Sequence, residues 1–199
     1  MDKKKFILSI FLTFLVYLLE CSTGSTGWII LRKDKSPKPK SLTLSFIEDG
    51  NLSGLLDNPS IIPMVEHKEI FGFMELGQID DRVAGIIYAT PIKKSAISIG
   101  IINYDAGPTT LYWIEGSNEK ERTVTLQRDM LGIISYGKSL TDKFYWGITA
   151  KFATSNIVES ISATAYVGDI GVSYLTNNSE FIFSFVAQNI GISTKFLDK

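Results

Sequence analysis

The two most chemically versatile residue types each occur once in this sequence of 199 residues, as Cys21 and His67. A single cysteine excludes a disulfide within the chain, and one cysteine with one histidine cannot supply a Cys/His zinc site. Ser-His-Asp catalysis would depend on His67 alone, and we read that residue as exposed because charged residues flank it. We find no phosphate-binding glycine loop and no nucleophile elbow. The sequence therefore predicts a protein that is not an enzyme and holds no metal or cofactor.

The balance of charge and hydrophobicity excludes another class of function. The chain has 20 basic and 21 acidic side chains and a net charge of −1, so no basic face is expected for a nucleic-acid partner. Mean hydropathy is slightly positive. This balance is typical of a protein whose apolar residues are spread along the chain at alternate positions, and not gathered into blocks.

The first 24 residues have the pattern of a secretory signal peptide. Lys3, Lys4 and Lys5 precede the apolar run Phe6–Leu19, and small residues follow it. As a helix this run rises only about 21 Å, which is short for a hydrocarbon core of roughly 30 Å. We place cleavage near Gly24. The alternative is a lipoprotein site with lipidation of Cys21, although Glu20 occupies a position where a small residue is expected.

Residues 25–63 are predicted to form a linker or plug-like segment before the main domain. Arg32–Lys40 reads RKDKSPKPK, and its proline spacing and like charge favour an extended, solvated chain. Further on, the pair Asn58-Pro59 ends any strand or helix that reaches it.

The rest of the chain consists of short apolar runs, each closed by turn-forming residues, and predicts an all-β domain. Helical caps and a helical period are both missing from these runs. The predicted strands are Glu69–Leu76, Arg82–Thr90, Ala96–Tyr104, Thr109–Glu115, Arg122–Arg128, Met130–Lys138, Phe144–Thr154, Ala163–Leu175 and Glu180–Asn189.

The alternation within these strands favours a membrane barrel over a soluble sandwich. In residues 144–153 one face carries Phe144, Trp146, Ile148 and Phe152, whereas the other is small or weakly polar. Bulky residues suit a lipid-facing side, and small residues suit a barrel interior. We therefore predict an antiparallel transmembrane β-barrel over residues 64–199, located in a bacterial outer membrane after export. The alternative is a periplasmic β-sandwich binding protein, either soluble or anchored through a lipid on Cys21.

Several short motifs follow one another from Gly54 onward. The first is the stretch Gly54–Ser60, GLLDNPS, and the later ones are Tyr136-Gly137-x-x-Leu140, Gly147, Lys151, Ala163-x-Ala165, Asp169-x-Gly171 and Gln188-Asn189-Ile190-Gly191. Taken in order, these motifs resemble the PorV/PorQ family and the wider group of fatty-acid-transporter-like barrels, and the first is similar to that family's Asn-Pro turn. The resemblance implies a barrel of roughly fourteen strands. Because fewer strands are predicted here, we expect the amino-terminal part of such a barrel, from a fragmentary gene product or one of two adjacent genes; the alternative is a small closed barrel of eight strands.

The resemblance implies a binding or translocation scaffold with one of two roles. In one role the barrel is an accessory of protein export, with cargo proteins or secretion-system components as partners. In the other it passes a hydrophobic small molecule. Outer-membrane lipid is a partner in both.

Six residues are candidates for the site of such a scaffold. Asn58 and Pro59 either shape a turn that positions the amino-terminal segment or only break the chain. Lys151 and Asp169 either face the lumen or, as we favour, form an ion pair at a loop end or lie on a solvated rim. Asn189 and Gly191 are expected in a tight turn.

Overall fold

The computed structural model describes residues 28–32, 52–77, 80–116, 118–158, 161–176 and 181–194. Within these ranges the chain is mostly antiparallel β-structure, which confirms the all-β prediction. The predicted signal peptide, Cys21 and the basic stretch after Arg32 lie outside the described residues. The strands are β1 (Glu69–Leu76), β2 (Arg82–Ile92), β3 (Ser95–Asp105), β4 (Pro108–Glu115), β5 (Asn118–Thr125), β6 (Gln127–Thr141), β7 (Phe144–Ile157), β8 (Ile161–Leu175) and β9 (Ile182–Ser193).

Seven of these strands form one sheet in the order β1-β2-β3-β6-β7-β8-β9, and β4 pairs only with β5. Every neighbouring pair is antiparallel. In the part of the chain that the structure describes, β1 and β9 each have one neighbour, so this sheet is open. No helix among these residues is long and apolar enough to cross a membrane.

Several strand ends differ from their predicted positions, and the predicted break between β5 and β6 was wrong. The sequence suggested a break at Asp129, between runs ending at Arg128 and starting at Met130. The structure instead breaks the chain at Leu126, and β6 begins at Gln127. Polar Gln127 and Asp129 belong to the strand because both are buried on its inner side, where they contact each other and the amino-terminal residues.

The sheet has two chemically different faces, as the alternation predicted. In β7 the residues Gly147, Thr149, Lys151, Ala153 and Ser155 are buried, whereas the residues between them are largely exposed. We call the buried side the inner face and the opposite side the outer face. The outer face carries large exposed apolar side chains, among them Ile99, Ile134, Phe152, Ile170 and Phe185.

The inner face is covered by the amino-terminal segment, defined here as residues 28–32 and 52–65. This segment contains a single helical turn, Ile29–Arg32, and two 3-10 helices, Leu52–Gly54 and Pro59–Met64. Its buried side chains form one core with inner-face residues of the sheet; they are Trp28, Ile30, Leu31, Leu52, Leu55, Leu56, Ile61, Ile62 and Val65.

Hydrogen bonds from this segment require the sheet to curve. Ile30 donates its backbone N–H to Asp129 on β6, and the carbonyl of the next residue, Leu31, accepts from Asn189 on β9. In a flat sheet β6 and β9 would lie about 14 Å apart, since strand spacing is about 4.8 Å. Two adjacent residues reach both strands only because the sheet bends around them.

Candidate functional site

Three glycines form a row across the inner face where the amino-terminal segment comes closest to the sheet. Gly137, Gly147 and Gly171 are register partners on β6, β7 and β8. A Cβ atom on Gly147 would lie 2.0 Å from the Pro59 carbonyl oxygen, and one on Gly137 would lie 2.5 Å from Pro63 Cδ. Only glycine leaves room for the Pro59 backbone at Gly147 and for the Pro63 ring at Gly137. The 3-10 helix Pro59–Met64 therefore packs directly against this row of glycines.

Asn58 fixes the start of that 3-10 helix and ties it to β8. Its Oδ1 accepts from the Ser60 backbone N–H at 3.0 Å and from Ser60 Oγ at 2.7 Å, which makes it the helix N-cap. Its Nδ2 donates to Ser173 Oγ at 3.4 Å, and Ser60 Oγ also contacts Ser173 Oγ. Pro59 occupies the first helical position, where its missing N–H costs nothing. Both residues therefore shape the turn that positions the amino-terminal segment.

Lys151 and Asp169 form an ion pair inside the structure, so the loop-end or rim position that the sequence favoured was wrong. Lys151 Nζ lies 2.5 Å from Asp169 Oδ2, and their side chains are 2% and 1% exposed. They lie in the middle of β7 and β8, at inner-face positions that the amino-terminal segment covers. A buried ion pair is held in place by further hydrogen bonds to its remaining atoms.

Asn189 supplies those bonds and links the ion pair to the amino-terminal segment. Its backbone N–H donates to Asp169 Oδ1 at 2.8 Å, and its Oδ1 accepts from Lys151 Nζ at 3.0 Å. Its Nδ2 donates to the Leu31 carbonyl at 3.1 Å. We call these four residues the Lys151 network. The two polar atoms of the Asn189 side chain thus have different partners: Oδ1 contacts Lys151 of the sheet, and Nδ2 contacts Leu31 of the amino-terminal segment.

The predicted tight turn at Asn189 and Gly191 was wrong, because both residues lie within β9. Asn189 has φ +56°, and the β8–β9 register shifts at this point, so the feature is a β-bulge. The bulge turns the Asn189 amide toward the ion pair. Gly191 has a different role: a Cβ there would lie 2.1 Å from the Tyr166 carbonyl oxygen, so glycine allows the two strands to approach.

A second polar cluster, which the sequence analysis missed, surrounds Asp129 on β6. Its Oδ2 accepts from the Ile30 backbone N–H at 3.1 Å, and its Oδ1 accepts from Gln127 Nε2 at 2.9 Å and from Ser155 Oγ at 2.5 Å. Asp129 is almost fully buried. Its carboxylate holds the first turn of the helix Ile29–Arg32. The signal in the sequence was a pair of polar residues two apart, at inner positions of an otherwise apolar strand.

The described residues offer binding contacts and no arrangement for metal chemistry. Among them no group of three or more His, Cys, Asp or Glu side chains is placed to hold a metal ion. His67 lies exposed between the amino-terminal segment and β1. The site joins the chain's own amino-terminal segment, to which Asn58 and Pro59 belong, to Lys151, Asp169 and Asn189 of the sheet.

Comparisons with known proteins do not add a family to this description. No family model matches the chain, and no curated protein is significantly similar to it in sequence. The resemblance to PorV/PorQ proteins therefore stays a prediction. Its motif residues nevertheless lie together in the structure: Gly137, Gly147, Lys151, Asp169 and Asn189 all line the contact with the amino-terminal segment.

Proposed function

We propose that this chain forms part of a β-barrel in a bacterial outer membrane and acts there as a binding scaffold, not as an enzyme. The outer face of the sheet would contact lipid, and the amino-terminal segment would occupy the lumen. The observation that carries the proposal is the band of exposed apolar side chains on the outer face. An apolar surface of this extent on a soluble monomer is unusual.

The height of the apolar band agrees with a bilayer. On β7 it runs from Phe144 to Phe152, and Asn156 follows beyond it. Eight residues advance about 27 Å along a strand, or about 21 Å along the membrane normal at a tilt of roughly 40°. Barrels of the outer membrane have an apolar band about 25 Å tall.

The band also slants across the sheet as a membrane plane would. Ile70 on β1, Ile134 on β6 and Ile190 on β9 lie in one row of register partners. In β1 the exposed apolar residues extend from Ile70 toward Leu76, whereas in β9 most extend the opposite way, toward Phe181. From β1 to β9 the band shifts along the strand direction by roughly six residues, or ~20 Å. Across the sheet these two strands are six strand spacings, or ~29 Å, apart. That slope is about 35°, within the usual tilt of barrel strands.

The lengths of the connections suggest an orientation. At the end where β1 begins, the connections are the two-residue turns Lys93-Lys94 and Asp142-Lys143 and residues 176–181. The opposite end carries residues 77–81, residues 158–160 and the β4–β5 hairpin, which is the longest of these excursions. Outer-membrane barrels have short periplasmic turns and longer external loops. We therefore assign the hairpin to the outside of the cell and the start of β1 to the periplasmic side.

Of the two roles implied by the resemblance, the contacts of the amino-terminal segment favour an accessory of protein export. The segment packs against glycines and hydrogen-bonds to Asp129, Ser173 and Asn189, so it covers the inner face. Export partners would therefore bind at the ends of the strands.

Extraction of membranes with carbonate tests the proposal against the soluble or lipid-anchored β-sandwich. A sandwich would be released, or would be retained only when Cys21 is present. We expect the chain and its Cys21→Ser variant to stay in the membrane pellet equally. Faster migration of the unboiled protein on a gel would add that a closed barrel forms. Release of the chain by carbonate would refute the membrane proposal.

A further inference from the structure

The β4–β5 hairpin is a direct extension of β3 and β6 beyond the sheet. The β3–β6 register continues into β4–β5 without an offset, and two hydrogen bonds bridge the junction: Ala106 N–H to the Gln127 carbonyl at 2.9 Å and Leu126 N–H to the Gly107 carbonyl at 3.2 Å. Each hairpin strand has eight residues. The hairpin therefore projects about 26 Å past the junction.

The two long edges of this hairpin differ in how well their side chains protect them against pairing with a further strand. Successive residues of β5 are charged: Glu119, Lys120, Glu121 and Arg122. The corresponding part of β4 is Leu111-Tyr112-Trp113-Ile114, with Tyr112 76% and Ile114 74% exposed. Charged residues protect a free strand edge against pairing, and β-branched and aromatic residues promote it. The β5 edge is thus protected, whereas the β4 edge is not.

We propose that the free edge of β4 binds an extended segment of another polypeptide as an added β-strand. Among the described residues β4 pairs only with β5, so its other edge presents a row of backbone N–H and C=O groups. Backbone hydrogen bonds would give affinity, and β-branched or aromatic side chains beside Tyr112 and Trp113 would give specificity. A two-stranded ribbon alone is only marginally stable in water, so a third strand would also stabilise the hairpin.

A second copy of this chain does not fit the β4 edge, and this step rests on the membrane placement proposed above. Copies in one membrane point their hairpins in the same direction, whereas antiparallel pairing of two β4 edges needs opposite directions. Parallel pairing about a two-fold axis would put equivalent residues on opposite faces of the sheet. Lipid does not fit either, because acyl chains offer no hydrogen bonds to the edge. We therefore take the partner to be an extended segment of a different protein; pairing of the edge with other residues of this chain would leave no place for the octapeptide described below and would overturn the proposal.

The probe for this proposal is a fluorescent synthetic octapeptide of alternating threonine and valine, titrated into the full chain in detergent micelles. Its counterpart carries N-methyl groups on alternate backbone amides, which remove the donors needed for strand pairing and leave the side chains unchanged. The edge variant is Tyr112→Lys. The matched control is Thr123→Lys, which adds the same charge to the exposed β5 strand.

We expect the octapeptide to bind, the N-methylated peptide to bind at least about tenfold more weakly, and Tyr112→Lys to cause a similar loss, equivalent to about 1.4 kcal/mol. Thr123→Lys should bind as the native chain does. Equal binding of the two peptides, no effect of Tyr112→Lys, or dimerisation of the native chain that Tyr112→Lys abolishes would each overturn the proposal. The micelle assay does not require membrane insertion. A chain that carbonate releases but that binds with this selectivity would refute the membrane placement alone.

Discussion

Replacement of Gly147 by alanine should dislodge the amino-terminal segment from the sheet. The added Cβ would lie 2.0 Å from the Pro59 carbonyl oxygen and 3.1 Å from the Ser60 nitrogen, and both are backbone atoms that no side-chain rotation can move. Relief of this contact requires a shift of the segment by at least about 1 Å, in an interior packed as densely as a crystal. The substitution therefore acts on the contact between segment and sheet.

The expected loss of stability follows from what the segment buries. Overpacking of this kind costs about 1–3 kcal/mol. If the 3-10 helix leaves the sheet, Ile61 and Ile62 lose their burial, at roughly 1.5–3 kcal/mol each. We take about 2 kcal/mol as the smaller outcome. With a urea slope of about 2 kcal/mol per molar, the unfolding midpoint should fall by about 1 M.

The assay is a urea titration of the folded chain in detergent micelles, with Gly132→Ala as the matched control. Gly132 lies on the same sheet but on the outer face, and beyond its two chain neighbours its added Cβ would have the Phe152 carbonyl oxygen as its nearest atom, at 3.9 Å. The control should be as stable as the native chain or slightly more so, because glycine weakens a strand. If Gly147→Ala and Gly132→Ala have the same urea midpoint of unfolding, close packing of the 3-10 helix against Gly147 is refuted.

A second measurement separates a displaced segment from a general loss of stability. Ile62→Cys, in a chain whose Cys21 is replaced by serine, places a single thiol at a fully buried position of the segment. Under native conditions maleimide should label this thiol faster when Gly147→Ala is also present. An unchanged labelling rate would mean that the sheet, and not the segment, absorbs the strain.

Three further substitutions test the polar contacts and the outer face. Asn189→Gly keeps the positive φ but removes the side-chain amide. It should lower the free energy of unfolding by about 1–3 kcal/mol, measured by urea titration, because Lys151 and the Leu31 carbonyl lose their partner. An unchanged midpoint would contradict the Lys151 network. Lys151→Met should lower the free energy of unfolding by about 3–5 kcal/mol, because it leaves Asp169 buried without its cation. Adding Asp169→Asn should recover most of that stability. If it does not, the first substitution acted through packing and not through charge. Ile134→Lys should destabilise the chain in phospholipid vesicles by about 2–4 kcal/mol, whereas Asn156→Lys, beyond the apolar band, should cost about 1 kcal/mol or less; equal losses would count against a lipid-facing outer face.

The strands could be predicted from the sequence because their signal is local. In β7 the alternation of bulky and small residues already separates the two faces, and the structure buries Gly147 and Thr149 while it exposes Ile148. Turn-forming residues mark some of the ends, as at Gly77, which follows the end of β1 at its predicted position, Leu76. The break at Leu126 was missed because the residues after it are polar, and polarity there reflects burial against Ile30 about a hundred positions away in the chain.

The contact with the amino-terminal segment could be predicted only in part, because it depends on pairs that are distant in sequence. Asn58 was recognisable as a helix or turn boundary, but nothing near it specifies Ser173 as its partner. Lys151 and Asp169 are 18 positions apart, and only the β7–β8 register brings their charges together. Asn189 was read as a turn because Asn before Ile-Gly suits one, whereas the bulge forms to reach the ion pair.

The small residues of the inner face have a different meaning once the amino-terminal segment is in place. A water-filled lumen requires inward side chains to be polar, but it gives no reason for glycine over alanine or serine at Gly137, Gly147 and Gly171. Contact with the segment does give that reason, because each added Cβ would lie within 2.5 Å of one of its atoms. That atom is the Pro59 carbonyl oxygen for Gly147, and a side-chain atom of Pro63 or Asn58 for Gly137 and Gly171. The Lys151–Asp169 pair leads to the same conclusion. In an open lumen both side chains would be hydrated, yet they are almost completely buried, so the segment is what excludes water from them. Docking of the segment on the inner face and pairing of the two charges are therefore thermodynamically coupled: whatever weakens one should expose the other to solvent.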